Sequence, residues 1–356
     1  MTMENTIAKR TERKDYIDTI KFLLILAIYV GHYGTASGKL FPFVSVYHVC
    51  TFFLISGFWA LNKREKTISE FILNGLKNYM LPWFIWVVVS TIFNAVLYSY
   101  EVRESAASFI VYFKSVRGSA IVGGMWFIPC FFLVSVVYHV MQKVLSKFGL
   151  KNTLVSAVVL MCISFILHSL TRYVLLLPQD LIFSIHCVPE YLFDYALGAV
   201  LYNAYLLYKA KIHISIQRIA LYLLVLISIA YMGLVYFNKI NGFWGWIYRM
   251  PVKPLHLLPE TATMLMAYVF NFAVASLISS KRLAELGKAT LILCLSESIL
   301  KTSIFLILQI FGLTVNVANP IHSLVFSTLA LVAGFYTVVP FTRQIVKKVC
   351  DFLNVR

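Results

Sequence analysis

Long apolar runs dominate this sequence, and they constrain its fold more than any other feature. Ten segments are long and apolar enough to cross a bilayer as helices, which takes about 20 residues. They are 17–34, 41–61, 79–99, 122–142, 153–170, 182–207, 219–237, 257–278, 289–312 and 321–342. The runs are too long for barrel strands and lack strict alternation of apolar and polar residues. The expected fold is therefore all-α: a polytopic integral membrane protein of about ten transmembrane helices. Sixty per cent of the 356 residues are apolar and only 13% are charged, against roughly half and a quarter in soluble domains. This excludes a soluble globular protein and a disordered chain.

The net charge of +16 would otherwise suggest nucleic acid, but the basic residues lie in short clusters between the apolar runs. Their distribution sets an orientation. With the N-terminus inside, the cytoplasmic segments hold Lys9, Arg10, Arg13, Lys14, Lys63, Arg64, Lys66, Lys77, Lys143, Lys147, Lys151, Lys209, Lys211, Arg218, Lys281, Arg282, Lys288, Arg343, Lys347, Lys348 and Arg356. The other side holds Lys39, Arg103, Lys114, Arg117, Arg172, Lys239, Arg249 and Lys253, while Lys21 and Lys301 fall within spans. Both termini are thus expected to be cytoplasmic, the basic loops facing anionic lipid, with no nucleic-acid partner. The chain reads as one domain, 1–356. It opens with a basic segment, 1–16, that has no signal-peptide cleavage pattern, and it ends in a tail, 343–356. The longest outer connections, about 100–121 and 238–256, are short, and no repeat or appended soluble domain is evident. The six cysteines form no CxxC pair and suggest neither a disulfide framework nor a zinc site.

Ionisable groups inside a bilayer are costly and therefore functional candidates. Span one, DYIDTIKFLLILAIYVGHYG, carries Asp18, Lys21 and His32. Lys21 and His32 are eleven residues apart, close to three turns, so they share a face about 16 Å apart along the axis. His48 lies near the outer end of span two, and a short outer loop lets it face His32. Neutral imidazole is the usual general base near neutral pH, whereas metal binding would need a third ligand that no spacing supplies. Trp126, after Gly123 and Gly124, is either an interfacial anchor or a stacking surface for a sugar. Glu190 and Asp194 stand at i,i+4 and suit a wet cavity, a hydroxylated substrate or structural ion pairs. Glu297 and Lys301 have the same spacing in the orientation that favours an intrahelical pair. His256 and Glu260 read as interface residues, and His168, His186 and His322 as structural groups near outer helix ends. Lys63, Arg64, Lys77 and Asn78 follow from the positive-inside rule, or form a clamp for a phosphorylated cytoplasmic donor.

Taken together, RKDYIDTIKFLLILAIYVGH, YHVCTFFLISGFW, LKNYMLPWF and MWFIPCFF resemble the acyltransferase family 3 membrane proteins, in particular their fucose 4-O-acetylase-like, sugar-modifying branch. Lys21 and His32 fit the family's basic-x10-His element. His48 with Phe52, Phe53, Ser56 and Gly57 fits its His…FFxxSG element, and Trp126 to Pro129 fit its WFLP-like element. Asn78 stands where an arginine is usual. The family's later tyrosine and histidine are here replaced by Cys294 and Glu297 in GKATLILCLSES.

The resemblance implies an acyl-CoA-dependent O-acyltransferase of the bacterial cytoplasmic (inner) membrane that transfers an acyl group, usually acetyl, to a carbohydrate hydroxyl. It implies catalysis by His32 and His48 and donor binding by Lys21, Lys63, Arg64, Lys77 and Asn78. Trp126, Glu190, Asp194 and Glu297 would bind the acceptor. Membrane lipid, acyl-CoA and a carbohydrate acceptor are the expected partners. Acetyl-CoA or another acyl-CoA is a co-substrate, with no permanently bound cofactor and no metal. Direct transfer and a covalent acyl-histidine both remain open. The alternative is a transporter or flippase of lipid-linked glycan whose path is lined by Glu190, Asp194, Glu297 and Lys301.

Overall fold

A computed structural model describes residues 15–60, 63–119, 121–208 and 211–352. The cations Lys9, Arg10, Arg13, Lys14, Lys209 and Arg356 lie outside them. Among the described residues the fold is entirely helical, without strands. In chain order the helices are α1 (Asp15–Gly31), α2 (Leu40–Ser45), α3 (His48–Gly57), α4 (Ile68–Gly75), α5 (Leu81–Tyr98), α6 (Val102–Lys114), α7 (Phe127–Lys147) and α8 (Thr153–Leu170). After these come α9 (Val188–Tyr208), α10 (Ile214–Tyr236), α11 (Ile240–Phe243), α12 (Gly245–Tyr248), α13 (Leu257–Ile278), α14 (Lys281–Lys288), α15 (Thr290–Ile310) and α16 (Pro320–Phe352). Single 3₁₀ or π turns join several of them.

Among the described residues eight helical segments are long and apolar enough to cross a membrane: Leu40–Gly57, Ile68–Tyr98, Gly123–Lys147, Thr153–Leu175, Ile214–Tyr236, Lys253–Ile278, Thr290–Ile310 and Pro320–Phe352. The expected spans at 17–34 and 182–207 are not among them. Within the described residues α1 has 17 residues and carries Asp15, Asp18 and Lys21, and α9 carries Glu190, Asp194, Asn203 and five tyrosines. Both are interior elements. Ile20, Leu24, Ile25, Tyr29 and Val30 of α1 are completely buried, as are Ala196 and nearly all of Tyr191 and Tyr195 in α9. A helix covered by protein needs less apolar surface than one that meets lipid.

Helix α1 forms the centre, packed against α2, α3, α13, α14, α15 and α16. Helix α9 lies between α8 and α3. Two glycines allow α3 and α9 to touch backbone to backbone. A Cβ on Gly198 would sit 1.9 Å from the Leu54 carbonyl oxygen, and one on Gly57 would sit 2.0 Å from that of Tyr195. This is the small-residue approach that packs helices in membranes. The crossing is completed by Phe53 and Tyr191, stacked at 4.3 Å.

Local chemistry explains the helix boundaries. Thr67 and Glu70 form a reciprocal capping box at the start of α4, and Asn152 caps α8. Pro82 has no N–H for the Asn78 carbonyl, and the turn before it widens to a π helix, Leu76–Met80. The outer connections also contain helices. In the first, α6 starts at a capping box of Glu101 and Glu104, and its Tyr112 hydroxyl accepts a bond from Asn94 Nδ2 at 2.8 Å. The final helix runs past residue 342 to Phe352, with Pro340 inside it.

Candidate active site

Three residues spaced by four on α15 join it to the end of α1. Leu293, Glu297 and Lys301 lie on one face of the helix. The Tyr29 hydroxyl donates to the Leu293 carbonyl at 2.8 Å. Lys301 Nζ donates to the Tyr29 carbonyl at 3.0 Å and to Glu297 Oε1 at 2.8 Å. The second carboxylate oxygen, Oε2, accepts from His32 Nδ1. Lys301 also lies 3.8 Å from the centre of the Tyr33 ring, a cation–π contact. Glu297 is 3% exposed and Lys301 10%, whereas the His32 side chain is 27% exposed. The carboxylate and ammonium are thus enclosed, and the imidazole opens outward from them.

The protonation pattern follows from the partners. A carboxylate that already accepts from Lys301 accepts the His32 Nδ1 proton as well, which leaves Nε2 of a neutral imidazole with its lone pair free. A base held by an acid behind it is the arrangement used to activate a hydroxyl. Its wall is the 3₁₀ turn Gly123–Trp126. A Cβ on Gly124 would lie 2.9 Å from Cys294 Sγ and 3.3 Å from His32 Cε1, so only glycine permits this approach.

His48 is 8% exposed. Its Nδ1 donates to the Val44 carbonyl at 2.7 Å, so Nε2 of a neutral ring is again the acceptor. Its ring reaches the Gly31 backbone, with Cε1 3.6 Å from a Cβ built there. It lies within electrostatic range of His32, Arg117 and Glu297. The two histidines therefore share a neighbourhood at one end of α1.

At the same end a cavity of about 780 Å³ opens between α3, α8, α9, α13 and the segment 240–248. Glu190 and Asp194 both line it. Arg117 connects it to Trp126, with its guanidinium 5.3 Å from the Trp126 ring and 5.5 Å from that of Tyr191. Arg117 Nη1 also approaches Glu190 Oε2 at 3.4 Å. Across the cavity Arg172 makes a two-pronged bond to Glu260, at 2.6 and 2.7 Å. Sequence reasoning missed Arg117 and Arg172, because both were accounted for as outer-loop cations. Glu260, His168 and His186, read as interface or structural groups, also line the cavity. The only signal for any of these was an ionisable side chain at a helix end.

The other end of α1 is basic. Lys21 Nζ lies 3.4 Å from the carboxylate of the fully buried Asp18. Lys63 feels the charges of Lys21 and Lys66 and sits 5.8 Å from the Phe71 ring. Its loop is fastened to α7 by His139, which donates from Nε2 to the Lys66 carbonyl at 3.1 Å and stacks on Phe71 at 4.2 Å. Arg64 Nη2 donates to the Lys151 carbonyl at 2.7 Å. Lys77 and Asn78 are on the π turn, where the Asn78 amide bonds the Asn74 carbonyl at 2.8 Å. Among the described residues no three His, Cys, Asp or Glu side chains are placed to hold a metal ion.

No curated protein and no solved structure matches this chain. Residues 14–342 match the acyltransferase domain that defines acyltransferase family 3. The match extends from the start of α1 into α16, and the chain belongs to that family of acyltransferases.

Proposed function

We propose that this protein is an O-acyltransferase of the bacterial cytoplasmic (inner) membrane, with acyl-CoA as donor, and that acetyl is the group transferred. The acceptor is a hydroxyl of a cell-surface or lipid-linked polysaccharide, as in the fucose 4-O-acetylase-like branch. In this reading α1 and α9 complete ten spans and both termini are cytoplasmic. The basic end of α1 then faces the cytoplasm, and the histidine end, with its cavity, faces outward.

The observation that carries the proposal is the bond between His32 and Glu297. It leaves an imidazole nitrogen able to accept a proton in a family of acyltransferases. As the sugar oxygen attacks the thioester carbonyl, His32 Nε2 takes the hydroxyl proton. A C–O bond forms, the C–S bond breaks, and the proton passes to the departing thiolate. Glu297 holds the ring and balances its transient charge. His48 orients the acceptor hydroxyl. Trp126, Glu190 and Asp194 belong to the acceptor side, where aromatic faces and carboxylates suit a sugar. Lys21, Lys63, Arg64, Lys77 and Asn78 receive the phosphates of CoA by charge-assisted hydrogen bonds. The test is incubation of the purified protein in nanodiscs with labelled acetyl-CoA and a lipid-linked glycan extract. Free CoA and labelled glycan are expected together. Movement of unmodified glycan with no turnover of any acyl-CoA would instead favour a flippase.

The donor site carries its own pH signature. Burial, and then the charges of Lys21 and Lys66, lower the Lys63 ammonium to about 8. The ammonium is complete below that pH and is lost as the pH rises through it. KM for acetyl-CoA is therefore expected to rise severalfold between pH 7 and pH 9. Lys63→Arg, whose guanidinium stays protonated, should flatten that rise. An equal rise in both proteins would place the titrating group elsewhere.

A further inference from the structure

Three carboxylates line the outward cavity, and two of them have cations of their own. Glu190 has Arg117 and Glu260 has Arg172. Asp194, one helical turn beyond Glu190, has no hydrogen-bond or ion-pair partner among the described residues. It is 7% exposed and lines the same cavity. The charged groups that act on it are Glu190 and Glu260, both of its own sign. When ionised, Asp194 gives the cavity one negative charge more than its own arginines neutralise.

An ionised carboxylate buried without a partner is expensive, and a bound cation of the right geometry removes that expense. A neutral polyol would supply hydrogen bonds but no charge. An acidic sugar would bring a further anion among three carboxylates. A metal ion lacks the ligand set, since no three candidate ligands converge among the described residues. Other features of the cavity suit a sugar ring. The Trp244 and Tyr248 rings line it. His186 Nδ1 is buried there without a hydrogen-bond partner among the described residues, and a sugar hydroxyl could supply one. The volume of about 780 Å³ lies within the range of small-ligand pockets, about 300–1,000 Å³.

We infer that Asp194 is a specificity-determining residue that selects a carbohydrate acceptor bearing a primary ammonium group, an amino sugar with a free amine. The inference rests on reading the cavity as the acceptor site. The ammonium binds Asp194, the sugar ring lies against Trp244 or Tyr248, and a hydroxyl remains for acylation.

The test is a binding titration of the full-length protein in nanodiscs at pH 6.5, where the sugar amine is protonated, followed by tryptophan fluorescence. The probes are the glucosamine disaccharide and its N-acetylated counterpart, which differ in that charge and in the acetyl group that replaces it. The amine form is expected to bind about tenfold or more tighter, equivalent to about 1.4 kcal/mol. Asp194→Asn, nearly isosteric, should bring the two affinities to within about twofold. Equal wild-type affinities, a preference for the acetylated sugar, binding of neither, or an unchanged ratio in Asp194→Asn would each overturn the inference. Should that variant fail to fold, the wild-type titration of the amine sugar is repeated at pH 9, where the amine is neutral: its affinity should fall about tenfold, and an unchanged affinity would overturn the inference. Acetyl-CoA turnover measured in parallel separates the two ideas. An amine preference without turnover would keep the subsite and remove the transfer reaction, and turnover without an amine preference would do the reverse.

Discussion

His32→Ala is expected to lower acetyl transfer by about 10²–10⁴-fold, the contribution of a positioned general base, while the protein is still recovered folded. The folding half of this expectation comes from the charges. Removing the imidazole leaves Glu297 paired with Lys301 at 2.8 Å, so no buried charge loses its counterion. It also leaves the bonds of Tyr29 and Lys301 that tie α1 to α15. The imidazole is the most exposed of the three groups, at 27%, and its loss opens little interior space. Free CoA release and labelled glycan should fall together, with an unchanged elution profile in detergent. Product at the wild-type level from folded His32→Ala would remove His32 from the chemistry.

The fold was legible in the sequence wherever a helix meets lipid, because there hydropathy and length set the requirement. It was less legible where a helix meets protein. Helices α1 and α9 were expected as spans, yet among the described residues α1 has 17 residues with Asp15, Asp18 and Lys21 in it, and α9 carries two carboxylates and five tyrosines. Their interior position explains the polar residues they carry. Local spacing found the Glu297–Lys301 pair, since both members lie on one helix. It could not find the bond from Glu297 to His32, whose partners are 265 residues apart in the chain. Glu297 was read from the sequence as an acceptor-binding group in place of a histidine, or as the neutralising partner of Lys301, and its carboxylate accepts from both His32 and Lys301. Arg117 and Arg172 were hidden for a different reason. A charge census of loops explains a cation without asking where its side chain goes, and these two go to carboxylates on other helices.

The proposed positioning role of Glu297 leads to a second large effect with a different signature. Glu297→Gln is expected to lower kcat by about 10²–10⁴-fold, with KM for acetyl-CoA nearly unchanged. The wild-type carboxylate accepts twice, from Lys301 and from His32. An amide has one oxygen and one NH₂. Lys301 can only donate, so it takes the oxygen, and the NH₂ turns toward His32 Nδ1. That nitrogen must then accept, which moves the ring proton to Nε2 and blocks the atom that would take the hydroxyl proton. The proposed donor site at the other end of α1 is untouched, which is why the loss is expected to fall on kcat. The variant also leaves the Lys301 ammonium buried without its anion, which costs about 3–5 kcal/mol when one partner of a buried pair is removed. Glu297→Gln should therefore be less stable than His32→Ala. The double variant Glu297→Leu with Lys301→Met, which has neither buried charge nor an acceptor for His32 Nδ1, should recover stability without recovering kcat. Restored turnover in the double variant would mean that Glu297 serves only to neutralise Lys301. Continued inactivity in a stable double variant would assign the carboxylate to holding the His32 tautomer.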